Sequence, residues 1–121
     1  MKQEKINRAF PSLTKLRDIN LPVKKARAIY KLYVAAEDAY NFALGEEKKY
    51  LSEFNGTIAG DGSINFKTTE ECLAFKEKFD ELVNSDVELD IEVVTLSDND
   101  LGEQMLTPGD IYNLEGFVIF E

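Results

Sequence analysis

Pro22 opens a proline-free stretch in which the apolar residues keep a helical period from Val23 to about Phe54. Ala26, Ile29, Tyr33, Ala36, Tyr40, Ala43, Tyr50 and Phe54 recur at three- and four-residue spacing, with Glu47 filling one gap, and Leu32, Ala35, Ala39 and Phe42 widen the stripe. That is the broad apolar face of a core helix. Unbroken, it would run roughly 50 Å at about 1.5 Å per residue. A globule of this size is only about 35 Å across. The helix therefore has three outlets. It bends or breaks at Gly45, where glycine costs about 1 kcal/mol relative to alanine; it runs beside an N-terminal helix as a hairpin; or it pairs with a second copy. The hairpin is the expected solution, with homodimerisation through the long helix as a companion expectation. Alanines alternating with tyrosines imply that a partner helix approaches closely at the alanines. The tyrosines then flank it, their hydroxyls reaching water or a hydrogen-bond partner.

The partner is at hand. Ile6, Ala9/Phe10, Leu13 and Leu16 give residues 2–18 a helical face, which Pro11 either kinks or divides into two short helices. Past the long helix, Thr57-Ile58-Ala59 and Ser63-Ile64-Asn65-Phe66 flank Gly60-Asp61-Gly62, which reads as a small hairpin. Thr68-x-x-Glu71 fits a capping box for a helix buried along Cys72, Phe75, Phe79 and Leu82/Val83. Val87, Leu89, Ile91 and Val93 alternate with Glu88, Asp90 and Glu92, so residues 87–96 are predicted as a half-buried strand. Val94 and Leu96 fall out of phase, which predicts a bulge or burial of both faces after Val93. Thr107-Pro108-Gly109-Asp110 starts a helix, and Phe117-Val118-Ile119-Phe120 fits either a closing strand or an apolar tail. The fold class is α+β: an N-terminal helical hairpin with one long amphipathic helix, then a small antiparallel β-sheet with one packed helix. It forms a single domain over 1–121, helical to 54 and α+β from 55.

What the chain lacks narrows its chemistry. It has no histidine and one cysteine. Ser-His-Asp and Cys-His catalysis and His-ligated zinc are excluded. So are an intramolecular disulfide, an all-cysteine zinc site and an iron–sulfur cluster within one chain. The N-terminal segment carries no signal-peptide pattern and no apolar run suggests a membrane span, so a cytoplasmic protein is expected. Neither a membrane nor a cofactor is implied.

The remaining candidates have ordinary readings beside them. Gly60-Asp61-Gly62-Ser63 lacks the Gly-Lys-Ser/Thr of a phosphate loop and has Phe66 where a calcium loop needs glycine, so a turn is expected. Asp98, Asp100 and Glu103 break the calcium pattern and read as a solvated loop. Cys72 lies on an apolar helix face and reads as an inert thiol.

Charge is the feature left over. The net charge is -9, but residues 1–49 carry 11 Lys/Arg against 6 Asp/Glu, a balance of +5, while residues 50–121 stand at -14. Lys24, Lys25, Arg27 and Lys31 crowd the first turns of the long helix, where the macrodipole favours anions. Either an acidic patch of the same protein or solvent compensates them, or an anionic partner does. Glu88, Asp90 and Glu92 stand about 7 Å apart on one strand face. They read as charge that keeps a sheet from aggregating, or as an acidic stripe for a partner. The overall negative charge and the absence of a groove-reading or RNA-binding motif speak against direct nucleic-acid binding.

A short N-terminal helix, Leu21-Pro22-Val23-Lys24 leading into the long helix, its end near Tyr50-Leu51, and the late Thr107-Pro108-Gly109-Asp110 together resemble small phage- or prophage-encoded proteins of an uncharacterised family, across most of the chain. The resemblance implies an accessory protein and supplies no catalytic residues. The leading expectation is thus a non-enzymatic interaction protein that binds another protein through the long helix and the acidic face. An acidic inhibitor filling a nucleic-acid channel of a host or defence protein is the second. A carboxylate-dependent metal enzyme is the third.

Overall fold

A helical hairpin carries the rest of the chain. The computed structural model describes residues 1–121. Helix α1 (Gln3–Arg17) packs along α2 (Val23–Glu53), with Ala9 and Ala36 both fully buried. As the sequence implied, the tyrosines flank this contact. Phe10 stacks on Tyr40 at 4.3 Å and Tyr33 at 5.4 Å, and Arg17 donates to the Tyr33 hydroxyl at 2.9 Å. Pro11 sits inside α1 on its exposed side, so α1 is one helix and not two. The buried Gln3 side chain staples the pair, its Nε2 donating to Asn7 Oδ1 at 2.8 Å and to the Ala39 carbonyl at 3.1 Å.

Helix α2 runs through Gly45 without a break for 31 residues, about 46 Å by helical rise. Its overhang is covered within the chain. Strands β1 (Thr57–Ile58) and β2 (Ile64–Asn65) form an antiparallel hairpin, and α3 (Thr69–Asn84) folds back onto α2. Leu51, Phe66, Phe75 and Phe79 make a small second core there, with Phe75 at 5.2 Å from Phe66 and 5.9 Å from Phe79. Gly56 is required by close approach, because a Cβ there would lie 2.8 Å from Leu51 Cδ2 and from Phe66 Cε1. The Gly60–Ser63 segment is the expected turn, where Asp61 Oδ1 accepts from the Ser63 amide at 3.0 Å and its hydroxyl at 2.6 Å. Thr68 caps α3 by accepting from the Glu71 amide at 3.1 Å. The box is only half made, since the Glu71 carboxylate takes the Thr68 hydroxyl and the Asn55 amide instead of the Thr68 backbone.

The predicted strand over 87–96 is corrected by the structure. Only β3 (Val94–Leu96) enters a ladder, pairing in parallel with β4 (Val118–Phe120). The intervening chain, with α4 (Asp98–Leu101) and α5 (Pro108–Asn113), is long enough for the crossover that a parallel pair needs. Residues 88–93 have no neighbouring strand. Their alternation is real, with Leu89 and Ile91 half-buried on the core and the acids exposed, but it is the alternation of an unpaired segment. The expected change of phase falls at Val93, which is exposed, and Val94, which is buried.

Two latches hold the C-terminal segment to the hairpin. Ser97 and Asp100 form a capping box on α4, and Thr107 and Asp110 form one on α5. Each aspartate also binds a lysine of the hairpin: Asp100 pairs with Lys25 on α2, and Asp110 pairs with Lys15 on α1 at 2.7 Å. Asp110 further accepts from the buried Ser12 hydroxyl at 2.7 Å. The expected solvated loop at 98–103 is thus a short helix with its central carboxylate tied down.

Lys25, then the Ser97 amide, holds Asp100 down at about 2 against a usual 3.8. Lys15, then the Thr107 amide, lowers Asp110 further still. A carboxylate with a depressed folded pKa adds stability that is complete above its unfolded value and lost as pH falls through the folded one. Urea melts from pH 5 to pH 2 should therefore lose stability below about pH 4. The Asp100→Asn/Asp110→Asn variant should lose less over the same range. An equal slope in both proteins would show that the latches contribute nothing to folding.

Candidate functional site

The sequence-predicted charges meet across one groove. Helix α2 and the 85–92 segment run side by side in opposite directions. Lys24, Arg27 and Lys31 face Asp90, Ile91 and Glu92 across a cavity of about 730 Å³, which Val23, Ala28 and Leu32 also line. Beyond Asp90 a second cavity of about 620 Å³ continues between Ala35, Asp38, Ala39 and Phe42 of α2 and Ser85 to Asp90. The helical period explains the wall on α2. Lys24, Arg27, Lys31, Ala35, Asp38 and Phe42 are three or four residues apart and share one face. Phe42, expected in the core stripe, instead lies 62% exposed on this wall.

The groove is graded in charge. At the Glu92 end, three cations stand opposite two carboxylates. At the Glu88 end, Asp38, Asp86 and Glu88 are joined by no cation. Lys24, Arg27, Lys31, Glu88, Asp90 and Glu92 make no ion pair and no side-chain hydrogen bond within the molecule, and all six are exposed. The acids therefore confront the cations without neutralising them by contact. Nor does the helix compensate them: α2 has no acidic residue in its first turn and no side-chain cap.

Lys25 stands apart from the other three. Its ammonium is committed to Asp100, so the same-chain compensation that was one of the two readings operates there, through α4. What the sequence reading missed is the partnership of Lys25 and Lys15 with two capping aspartates.

No cluster of three or more Asp, Glu or Cys side chains is placed to hold a metal ion. Cys72 is half-buried and carries no disulfide. No helix is long and apolar enough to cross a membrane. No protein-family model, curated protein or solved structure matches this chain.

Proposed function

We propose that this chain is a non-enzymatic interaction protein, of the phage accessory kind its layout resembles, that binds another protein in the groove between α2 and the 85–92 segment. One observation carries the reading. Charged residues from distant parts of the sequence line a single concave surface and are left without partners. Lys24, in the first turn of α2, opposes the helix dipole by about 0.3–1 kcal/mol at an exposed site, and Arg27 and Lys31 extend the same unpaired positive wall. A partner carrying carboxylates to that wall relieves this cost, while Phe42, Ala35 and Ala28 supply apolar contact beside it.

The test is affinity capture from nuclease-treated lysate with the native chain and with Lys24→Glu/Arg27→Glu/Lys31→Glu. The native chain should retain a stoichiometric protein and the variant should lose it. Lys24→Glu places an acid in the first turn of α2, while the three new carboxylates face Asp90 and Glu92 across the groove, so the two effects oppose each other and the variant's Tm should stay within about 5 °C of the native chain. That result separates loss of binding from loss of folding. Capture of nothing by the native chain, or of the same partner by both, defeats the reading.

A further inference from the structure

The main chain of the acidic segment is unused. Glu88 to Val93 neither donate nor accept a backbone hydrogen bond within the molecule. Paired backbone brackets them. Before them, the Val87 amide donates to the Met1 carbonyl at 2.7 Å and the Val87 carbonyl accepts from the Met1 amino group at 3.3 Å. After them, the Val94 amide donates to the Phe117 carbonyl at 3.1 Å. Their side chains alternate apolar-in and charged-out, as in a strand with one solvated face. A strand in that state is a template for another.

Successive strand residues turn their N–H and C=O groups to opposite edges. The edge shared by Val87, Leu89 and Ile91 is occupied at its start by Met1. As far as Glu92, the edge of Glu88, Asp90 and Glu92 carries no backbone hydrogen bond.

The acid row decides what can add there. A second copy, paired antiparallel about Asp90, would set Glu88 against Glu92 and Asp90 against Asp90. Like charges directly opposite are destabilising. The row therefore rejects this chain and selects a strand with Lys or Arg at every second position.

Resting on the groove reading above, the geometry points to strand addition: Glu88–Glu92 takes up an extended segment of another protein, antiparallel, with basic residues opposite Glu88, Asp90 and Glu92 and carboxylates ahead of them. The grading of the groove sets that order. Antiparallel addition puts the incoming N-terminal end beside Glu92, where Lys24, Arg27 and Lys31 receive its carboxylates. Its basic end lies beside Glu88, Asp38 and Asp86.

The probe is an end-blocked peptide, Glu-Glu-Val-Lys-Val-Lys-Val-Lys, titrated into the full chain by NMR. The Glu88, Asp90 and Glu92 amides should gain exchange protection. The charge-inverted peptide, Lys-Lys-Val-Glu-Val-Glu-Val-Glu, should bind at least about ten-fold more weakly. Lysines directly opposite the acid row use their own amides in the ladder, so N-methylation at the lysines should abolish binding and N-methylation at the valines should not. On the protein, Asp90→Pro removes a donor that makes no intramolecular bond, so it should fold and fail to bind, whereas Asp90→Asn should bind within about three-fold of the native chain. Equal binding by the lysine-methylated peptide, or by Asp90→Pro and Asp90→Asn, overturns strand addition. Failure of the probe to bind, when a captured partner is still lost with Lys24→Glu/Arg27→Glu/Lys31→Glu, overturns strand addition and leaves the groove reading standing.

Discussion

Phe117→Ala is expected to destabilise the protein by about 4 kcal/mol, the range for removing a fully buried phenylalanine. Phe117 has no exposed surface and belongs to the main core with Ile6, Leu13, Leu16, Leu96 and Leu114. The position also anchors a strand, since its carbonyl accepts from Val94, the first residue of β3. Relaxation into the cavity is thus limited by a backbone tied on both sides. For a fold holding about 5–15 kcal/mol, such a loss leaves it marginal. In urea the midpoint should fall by about 2 M with the slope preserved. Phe42→Ala serves as the control. Phe42 lies exposed on the groove wall, and its loss should stay within about 0.5 kcal/mol. Equal costs at the two positions would contradict the placement of the C-terminal strand in the core.

The second large effect lies at Asp110. Asp110→Ala should cost about 3 kcal/mol, combining the lost hydrogen bond from the Thr107 amide to the carboxylate, about 1 kcal/mol, with a buried hydroxyl left unpaired at about 1–3 kcal/mol. The Ser12 hydroxyl is that group, being buried and donating only to Asp110. At this chain length the Tm should drop by about 10 °C. Asp110→Ala combined with Ser12→Ala removes the stranded donor along with its acceptor, and so should recover part of the loss. Recovery of nothing would place the whole effect in the carboxylate's bond to the Thr107 amide and in the Lys15 pair.

These two residues show where sequence reading succeeds and where it stops. The α5 start was legible because a capping box is local: Thr107, Pro108 and Asp110 satisfy amides within one turn. The long helix was legible because its period repeats through eight turns, and so was the closeness of its alanines to a partner. The lysine that completes each latch was not, because Lys15 and Lys25 lie 95 and 75 residues from their aspartates. No local pattern reports a contact that the path of the chain creates. Residues 88–93 illustrate the same limit from the other side. Period two specifies which side chains turn inward, but a ladder also needs a neighbour, and nothing within the segment says whether one exists. The groove had both its walls in view as isolated charge runs. That Lys24, Arg27 and Lys31 should confront Asp90 and Glu92 is set by α2 and the 85–92 segment lying antiparallel.

The main core draws on both α1 and β4, and this has a consequence for synthesis. Leu13 emerges about a hundred residues before Phe117, yet they occupy one cluster. Translation at about 5–20 residues per second puts roughly 5–20 s between them. During that interval the nascent hairpin of α1 and α2 can form from neighbouring sequence, but the face that receives Leu96, Leu114 and Phe117 stays uncovered. Closure of this core must wait for β4, so a slowed ribosome lengthens the time in which that bare face can meet a chaperone or another nascent chain.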